Sequence, residues 1–105
     1  MNILVTGGNG FLGSNTVKKL IKEKHNVLVI SKNKNNIQDV LDKCLFISSY
    51  SEDLLNYNKE IESFSPNVVI LFGWDGGNND KYVSSLNQFY KNIPSHIKFL
   101  EFICN

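Results

Sequence analysis

Gly7, Gly10 and Gly13 stand three residues apart, and Gly8, Gly10 and Gly13 also satisfy Gly-x-Gly-x-x-Gly. Glycines at this spacing suit one chemistry, the binding of a dinucleotide's phosphates. The first lets the chain turn sharply, the middle one leaves room for a pyrophosphate, and the last lets a helix close on the preceding strand. The start of that helix, at Phe11 and Leu12, adds amide donors and the positive end of the dipole. A glycine-rich turn without a ligand would show the same triplet, so context has to decide. Ile3, Leu4 and Val5 form an apolar run ahead of the turn and a helical pattern follows it, as the mechanism requires. The competing phosphate loop fails on one residue. Ser14-Asn15 follows the six-residue glycine frame where Lys-Ser or Lys-Thr is needed, which argues against a P-loop nucleotidase.

A second set of residues bears on the choice of dinucleotide. An NAD site of this kind places Asp or Glu about 20 residues after the glycines, on the ribose 2′-hydroxyl. Here Ser31 stands eighteen residues after Gly13, and Lys32-Asn33-Lys34 follows with no carboxylate. Ser31, Lys32 and Lys34 can hold a 2′-phosphate, so the expected cofactor is NADP, with NAD as the alternative. A polar loop with no such role is the bland reading. Other constellations are weaker. Glu52 and Asp53 are adjacent acids, but in the first turn of a helix they offset its dipole. Cys44 and Cys104 are single and far apart, and His25 has no second ligand nearby, so neither a disulfide framework nor a metal site is expected.

These residues need a parallel sheet with helices on both faces to position them. Val27-Leu28-Val29-Ile30 reads as a second strand buried on both sides, Leu45-Phe46-Ile47 as a third, and residues 68–72 as the fourth and most apolar. A first helix is expected over residues 11–24 with Leu12, Thr16 or Val17, Leu20 and Ile21 inward. A short helix follows over residues 36–43 with Ile37, Val40 and Leu41 inward. Ser51 should cap a further helix whose face carries Leu54, Asn58, Ile61 and Phe64, and Ser65-Pro66-Asn67 should stop it. Residues 82–103 read as helical, with Leu86, Phe89, Ile93, Ile97, Leu100 and Cys104 along one face. Pro94 either kinks that helix or begins a second one. The expected architecture is a Rossmann-type α/β/α unit with strand order 3-2-1-4 and right-handed crossovers, its ligand cleft between the first and fourth strands.

Residues 2–14, Asn-Ile-Leu-Val-Thr-Gly-Gly-Asn-Gly-Phe-Leu-Gly-Ser, resemble the N-terminus of the NAD-dependent epimerase/dehydratase family, the extended short-chain dehydrogenases. Thr-Gly-x-x-Gly-x-x-Gly, here residues 6–13, is that family's fingerprint. The resemblance extends along most of the chain. It implies that Ser49, with Tyr50 beside it, takes the place of a family aspartate that contacts adenine. Pro-Asn-Val-Val-Ile-Leu-Phe-Gly-Trp is similar to the family's fourth strand. Phe72, Gly73 and Trp74 then fall among the cofactor positions, with Gly73 where the backbone passes the nicotinamide ribose. Phe-Gly-Trp-Asp-Gly-Gly is also similar to a variant in sugar-nucleotide enzymes of polysaccharide clusters, where Trp74 either lines a substrate cleft or packs under its loop. Asn92 takes the place of a family asparagine that braces the catalytic region. The family's Tyr-x-x-x-Lys pair is absent: Tyr50, Tyr57, Tyr82 and Tyr90 each lack a lysine four residues on.

With 105 residues, 42% apolar and 20% charged, the chain is at most one small domain of ordinary globular composition. A net charge of +1 makes no case for nucleic acid or an acidic membrane as partner. All 11 basic residues are lysine, and there is no alanine, a bias of an AT-rich genome more than of function. Two unpaired thiols, with neither a signal-type segment nor a long apolar run, make the cytoplasm the expected compartment. Three functions fit: the cofactor half of a nucleotide-sugar epimerase, dehydratase or reductase, truncated and inactive alone; a non-catalytic NAD(P)-binding or sensor module; or an interaction subunit completed by another chain. An incomplete sheet would also self-associate through the open edge of the fourth strand.

Overall fold

A computed structural model describes residues 1–8, 10–72 and 93–104. Four strands, β1 (Asn2–Thr6), β2 (Asn26–Ser31), β3 (Leu45–Ser48) and β4 (Val68–Leu71), form one parallel sheet in the order β3-β2-β1-β4. Among the described residues three α-helices accompany them: α1 (Phe11–Lys22), α2 (Asn58–Phe64) and α3 (Ile93–Cys104). Short 3₁₀ helices cover Gln38–Lys43 and Ser51–Tyr57. The expected strand order is therefore the observed one.

The wholly apolar central strands follow from burial on both faces. Successive side chains of a strand point to opposite sides. Ile3, Val5, Val27 and Val29 pack on one face with Val17 of α1 and with Ile37. Leu4, Leu28 and Ile30 pack on the other with Leu54, Ile61 and Phe99. Each core has its own helical cover, so every residue of the run is apolar. The edge strands are less enclosed: Leu45 and Val68 are exposed, and Val69, Ile70 and Leu71 are half-buried. The cover expected on both faces of β4 is thus only partial among the described residues. Phe72 lies just past the strand, its amide donating to Thr6 O at 2.9 Å.

Several local expectations change. The inward positions of α1 are Gly13, Ser14 and Val17, with Leu20 and Ile21 partly buried, while Leu12 is 66% exposed. Glycine takes the sheet-facing place in the first turn because nothing larger fits there. Residues 38–43 and 51–57 wind as 3₁₀ rather than α-helix, yet Ile37 and Leu54 still reach their cores. Tyr50, not Ser51, holds the cap position, with no side-chain cap bond. The side chains of Ser51 and Glu52 are outside the described set. Ser65 closes α2 in the left-handed region at φ 54°, as the stop at residues 65–67 implied.

The largest change is in α3. Its buried face is Phe99, fully enclosed, with Phe102 and Ile103 beside it. Ile93, Ile97, Leu100 and Cys104, the expected inward stripe, are exposed. The helix carries two apolar faces, and the aromatic one buries more area. Leu86 and Phe89 lie outside the described residues. Pro94 is the second residue of α3, a first-turn position where its missing N–H removes no intrahelical bond. Among the described residues no helix is long and apolar enough to cross a membrane.

An asparagine clamp ties the N-terminal ends of the strands. Asn2 Nδ2 donates to Phe64 O at 2.7 Å and Asn2 N to Asn67 Oδ1 at 2.8 Å, while Asn26 Nδ2 donates to Asn2 Oδ1 at 3.0 Å. The clamp holds the register from which the opposite ends of the strands are aligned.

The reassigned face of α3 has a measurable consequence. Phe99→Ala should lower the unfolding free energy by about 3–5 kcal/mol, since it empties a closed aromatic site. Ile97→Ser should stay within about 0.5 kcal/mol, as exposed substitutions do. Urea titration of both variants followed by circular dichroism checks the pair, and the reverse ranking would restore the expected stripe.

Candidate functional site

Parallel pairing brings the carboxyl ends of the strands to one edge. Thr6 lies beside Ile30 on one side and Leu71 on the other, and Ser31 beside Ser48. All the described candidate residues stand on or just past this edge. Such an edge, where neighbouring crossovers leave in opposite directions, is where open α/β sheets bind ligands.

The turn from β1 to α1 occupies its centre, and its glycines have separable roles. Gly7 adopts φ 71°, which side chains resist, and donates to Ile30 O at 2.9 Å. Gly10 accepts the first helical bond, from Ser14 N at 2.8 Å. A Cβ on Gly10 would meet only Gly7 O, at 3.8 Å, so its outer side is open. A Cβ on Gly13 would stand on Gly7 O, with Gly8 Cα at 3.0 Å. Helix and turn meet there backbone to backbone. Gly8 is constrained by the core, where a Cβ would reach Val29 Cγ1 at 2.7 Å and Val17 Cγ2 at 3.0 Å. The two readings of the motif thus coexist: Gly7, Gly10 and Gly13 shape the turn, and Gly8 lets it lie on the core.

The amides of Phe11, Leu12 and Gly13 precede the first intrahelical bond, so they face out of the helix end. The side chains of Phe11 and Leu12 are exposed, and the first turn of α1 holds no acidic residue. The result is a set of unpaired backbone amides at the positive end of a twelve-residue helix, suited to an anion.

Beyond β2 the turn is held by its own side chains. The buried Ser31 hydroxyl donates to Asn33 O at 2.9 Å, and Asn35 N donates to Asn33 Oδ1 at 3.0 Å. Ser31 therefore has its proton committed, while Lys32 and Lys34 are exposed. The next acid, Asp39, is turned toward Lys18 of α1 at 3.4 Å. Past β3, Ser49 N donates to Ser31 O at 2.9 Å and Ser49 Oγ to Tyr50 O at 2.9 Å, which leaves the hydroxyl oxygen able to accept. Tyr50 is 56% exposed, and Lys32 Nζ lies over its ring, 5.8 Å from the centroid. This pairing across β2 and β3 carries no mark in the sequence beyond the residue types. Phe72 completes the described edge, half-buried. Gly73, Trp74 and Asn92 lie outside the described residues.

The opposite edge is different. A cavity of about 840 Å³ lies at the amino ends of the strands, lined by Asn2, Asn26, Cys44, Leu45, Lys59 and Phe64 among others. Burial, with Asp42 second, raises the Cys44 thiol, so it stays protonated and is no nucleophile at neutral pH. Among the described residues no three side chains cluster as metal ligands.

The glycine roles separate by substitution. Gly13→Ala should cost about 1–3 kcal/mol, because backbone must move to admit the methyl group. Gly10→Ala, with open space before it, should leave the melting midpoint nearly unchanged. Thermal melts of the two variants read this directly, and equal midpoints would mean that helix and turn are not in backbone contact.

Similarity to known proteins agrees with this geometry. The chain is 45% identical over 42 residues to the UDP-glucose 4-epimerase of Neisseria meningitidis serogroup A, a match covering 40% of this chain and 12% of that protein. The UDP-glucose 4-epimerase of Thermotoga maritima, solved with UDP-glucose, superposes with a TM-score of 0.78 at 27% identity, over 97% of this chain and 33% of that one. The Bordetella bronchiseptica enzyme WbmG, solved in complex with NAD, gives 0.74 at 25% identity, also over 97% and 33%. The chain thus spans about a third of the length of these solved structures. The model of the NAD dependent epimerase/dehydratase family matches residues 3–105, and the chain belongs to that family.

Proposed function

We propose that the chain is the dinucleotide-binding part of a nucleotide-sugar epimerase, dehydratase or reductase. One observation carries the reading: a glycine turn with Gly7 at φ 71°, an open Gly10 and Gly13 seated on Gly7, at the carboxyl edge of a parallel sheet. The amides of Phe11, Leu12 and Gly13 hold the pyrophosphate. Ser49 accepts from the adenine amine, and Tyr50 borders the base. Phe72, Gly73 and Trp74 line the nicotinamide side, and Asn92 braces the region beyond. When bound, a nicotinamide dinucleotide supplies hydride transfer to and from a sugar carbon. The 105 residues contribute the binding and not the acid/base step, since none of their tyrosines has the partner lysine. On this reading the chain is inert by itself and acts as half of a larger active site, in the cytoplasm. A sensor module would use the same cradle.

The proposed cofactor is NADP rather than the NAD of WbmG. Residues 31–36 hold no carboxylate to repel a 2′-phosphate, and Lys32 and Lys34 stand exposed there. Calorimetric titration with NADPH and NADH tests both levels. NADPH should bind tighter, Lys32→Ala should reduce that advantage, and Gly10→Val should weaken both cofactors at least tenfold by filling the pyrophosphate's place. Tighter NADH binding would reject the NADP preference alone. Unchanged binding by a folded Gly10→Val protein would remove the turn as the cofactor site.

The outer edge of β4 favours a second strand as partner. Val68 is exposed and the next three residues only half-buried, in a strand paired on one side among the described residues. We propose that this edge associates with another copy of the chain where no further strand covers it. Light scattering should show a mass that rises with concentration. A concentration-independent monomer with a cooperative melt would reject the association.

A further inference from the structure

We infer that the cavity at the amino edge is a second ligand site, for a small uncharged molecule with a flat apolar ring and an amide group. Its volume of about 840 Å³ falls among those of small-molecule sites, roughly 300–1,000 Å³. Val27 near the start of β2, Leu45 at the start of β3 and Phe64 at the end of α2 give it an apolar wall. Leu45 is 59% exposed, and a flat ring laid over it removes that surface from water. The glycine turn lies at the other end of the same strands, so the two sites are separate.

The polar side of the cavity is oriented in advance. Asn2 Nδ2 donates to Phe64 O at 2.7 Å and lies 3.5 Å from Ser65 O. Carbonyl oxygens only accept, so the nitrogen end of Asn2 has to face them. Asn2 Oδ1 then accepts from Asn26 Nδ2 at 3.0 Å, which sets the direction of the Asn26 amide. The oxygen of that amide and its second N–H find no other partner among the described residues. One acceptor and one donor are thus held at the wall by a relay already committed to the fold. A ligand amide supplies the matching donor and acceptor, and little side-chain freedom is lost when it binds. Charge selects for neutrality. Asp42 and Glu60 are matched by Lys43 and Lys59 along the lining, so an ion of either sign meets like charge as well as opposite charge. The protonated Cys44 thiol adds no charge.

The test is titration of the full chain with oxindole, a flat neutral lactam, read by NMR of the backbone amides. Saturable shifts should appear at residues 26–27, 44–45 and 63–64, with residues 7–13 unmoved. N-methyloxindole, which lacks the N–H, should bind about tenfold more weakly, the worth of one or two hydrogen bonds. Asn26→Leu removes the amide at similar volume and should bring the two ligands to equal affinity. Cys44→Trp, which fills the cavity, should abolish the shifts and leave NADH binding as it was. The comparison of the two ligands in the parent protein needs no variant to fold. Equal binding of oxindole and N-methyloxindole by the parent overturns the inference, and so do shifts confined to residues 7–13. A parent that binds NADH but shows no saturable oxindole shift overturns it as well and leaves the proposed function standing.

Discussion

The contact between Gly13 and Gly7 is the constraint on which the rest of the structure depends. A helix and a turn touch there with no side chain between them, because a Cβ on Gly13 would stand on the Gly7 carbonyl. That closeness sets the angle at which α1 leaves β1. It brings Val17 down onto Val29 and lets Gly8 settle between them. It also points the first amides of α1 over the sheet edge and not into the core. One steric requirement therefore shapes both the packing of one layer and the direction of the helix's first amides at the carboxyl edge. The positive φ of Gly7 belongs to the same geometry, since a strand that ends under a helix must reverse within two or three residues.

Burial on both faces makes β1 and β2 readable in the sequence. A strand covered on one side alternates, whereas Ile3-Leu4-Val5 and residues 27–30 do not, and each neighbour goes to a different core. The glycine turn is legible for a related reason: its spacing admits few other structures. Less was legible where two solutions cost nearly the same. The helix α3 carries Ile93, Ile97 and Leu100 on one face and Phe99 and Phe102 on another, and periodicity alone does not rank them. Leu12 fits a helical stripe as well as Gly13 does, until the close approach of the turn is known. The 3₁₀ winding of residues 38–43 and 51–57 escapes pattern reading, because Ile37 and Leu54 reach their cores with either winding. Asn2, Asn26 and Asn67 leave no signal, since asparagines at strand ends are common and their mutual bonds exist only once the strands are in register.

Charge is distributed unevenly around the sheet. The carboxyl edge between residues 31 and 36 has lysines and no acid, and the acid that follows is drawn to Lys18 on the helix. At the amino edge Asp42 and Glu60 sit with Lys43 and Lys59 around a cavity whose one thiol is held protonated. Oppositely charged neighbours there offset each other, so that edge has volume without a directed field. The glycine edge has the outward amides of the first turn of α1 and two exposed lysines, the features that attract phosphate.

A cradle made of backbone has a consequence for specificity. Amides and a helix dipole recognise phosphate whatever side chains surround them, so the turn can serve many reactions at low sequence identity. It therefore carries no information about what lies beyond the phosphates. Few side chains reach this rim, and those at the ends of β2 and β3 are polar and short apart from Lys32 and Tyr50. Ser31 and Ser49 spend their hydroxyl protons on neighbouring carbonyls, which makes them part of the scaffold before they are ligands. The lysine and the tyrosine extend beyond it, one charged and one flat, and they come from adjacent strands whose pairing is itself fixed by Ser49 N and Ser31 O. Sheet register thereby sets the spacing of Lys32 and Tyr50 at the carboxyl edge.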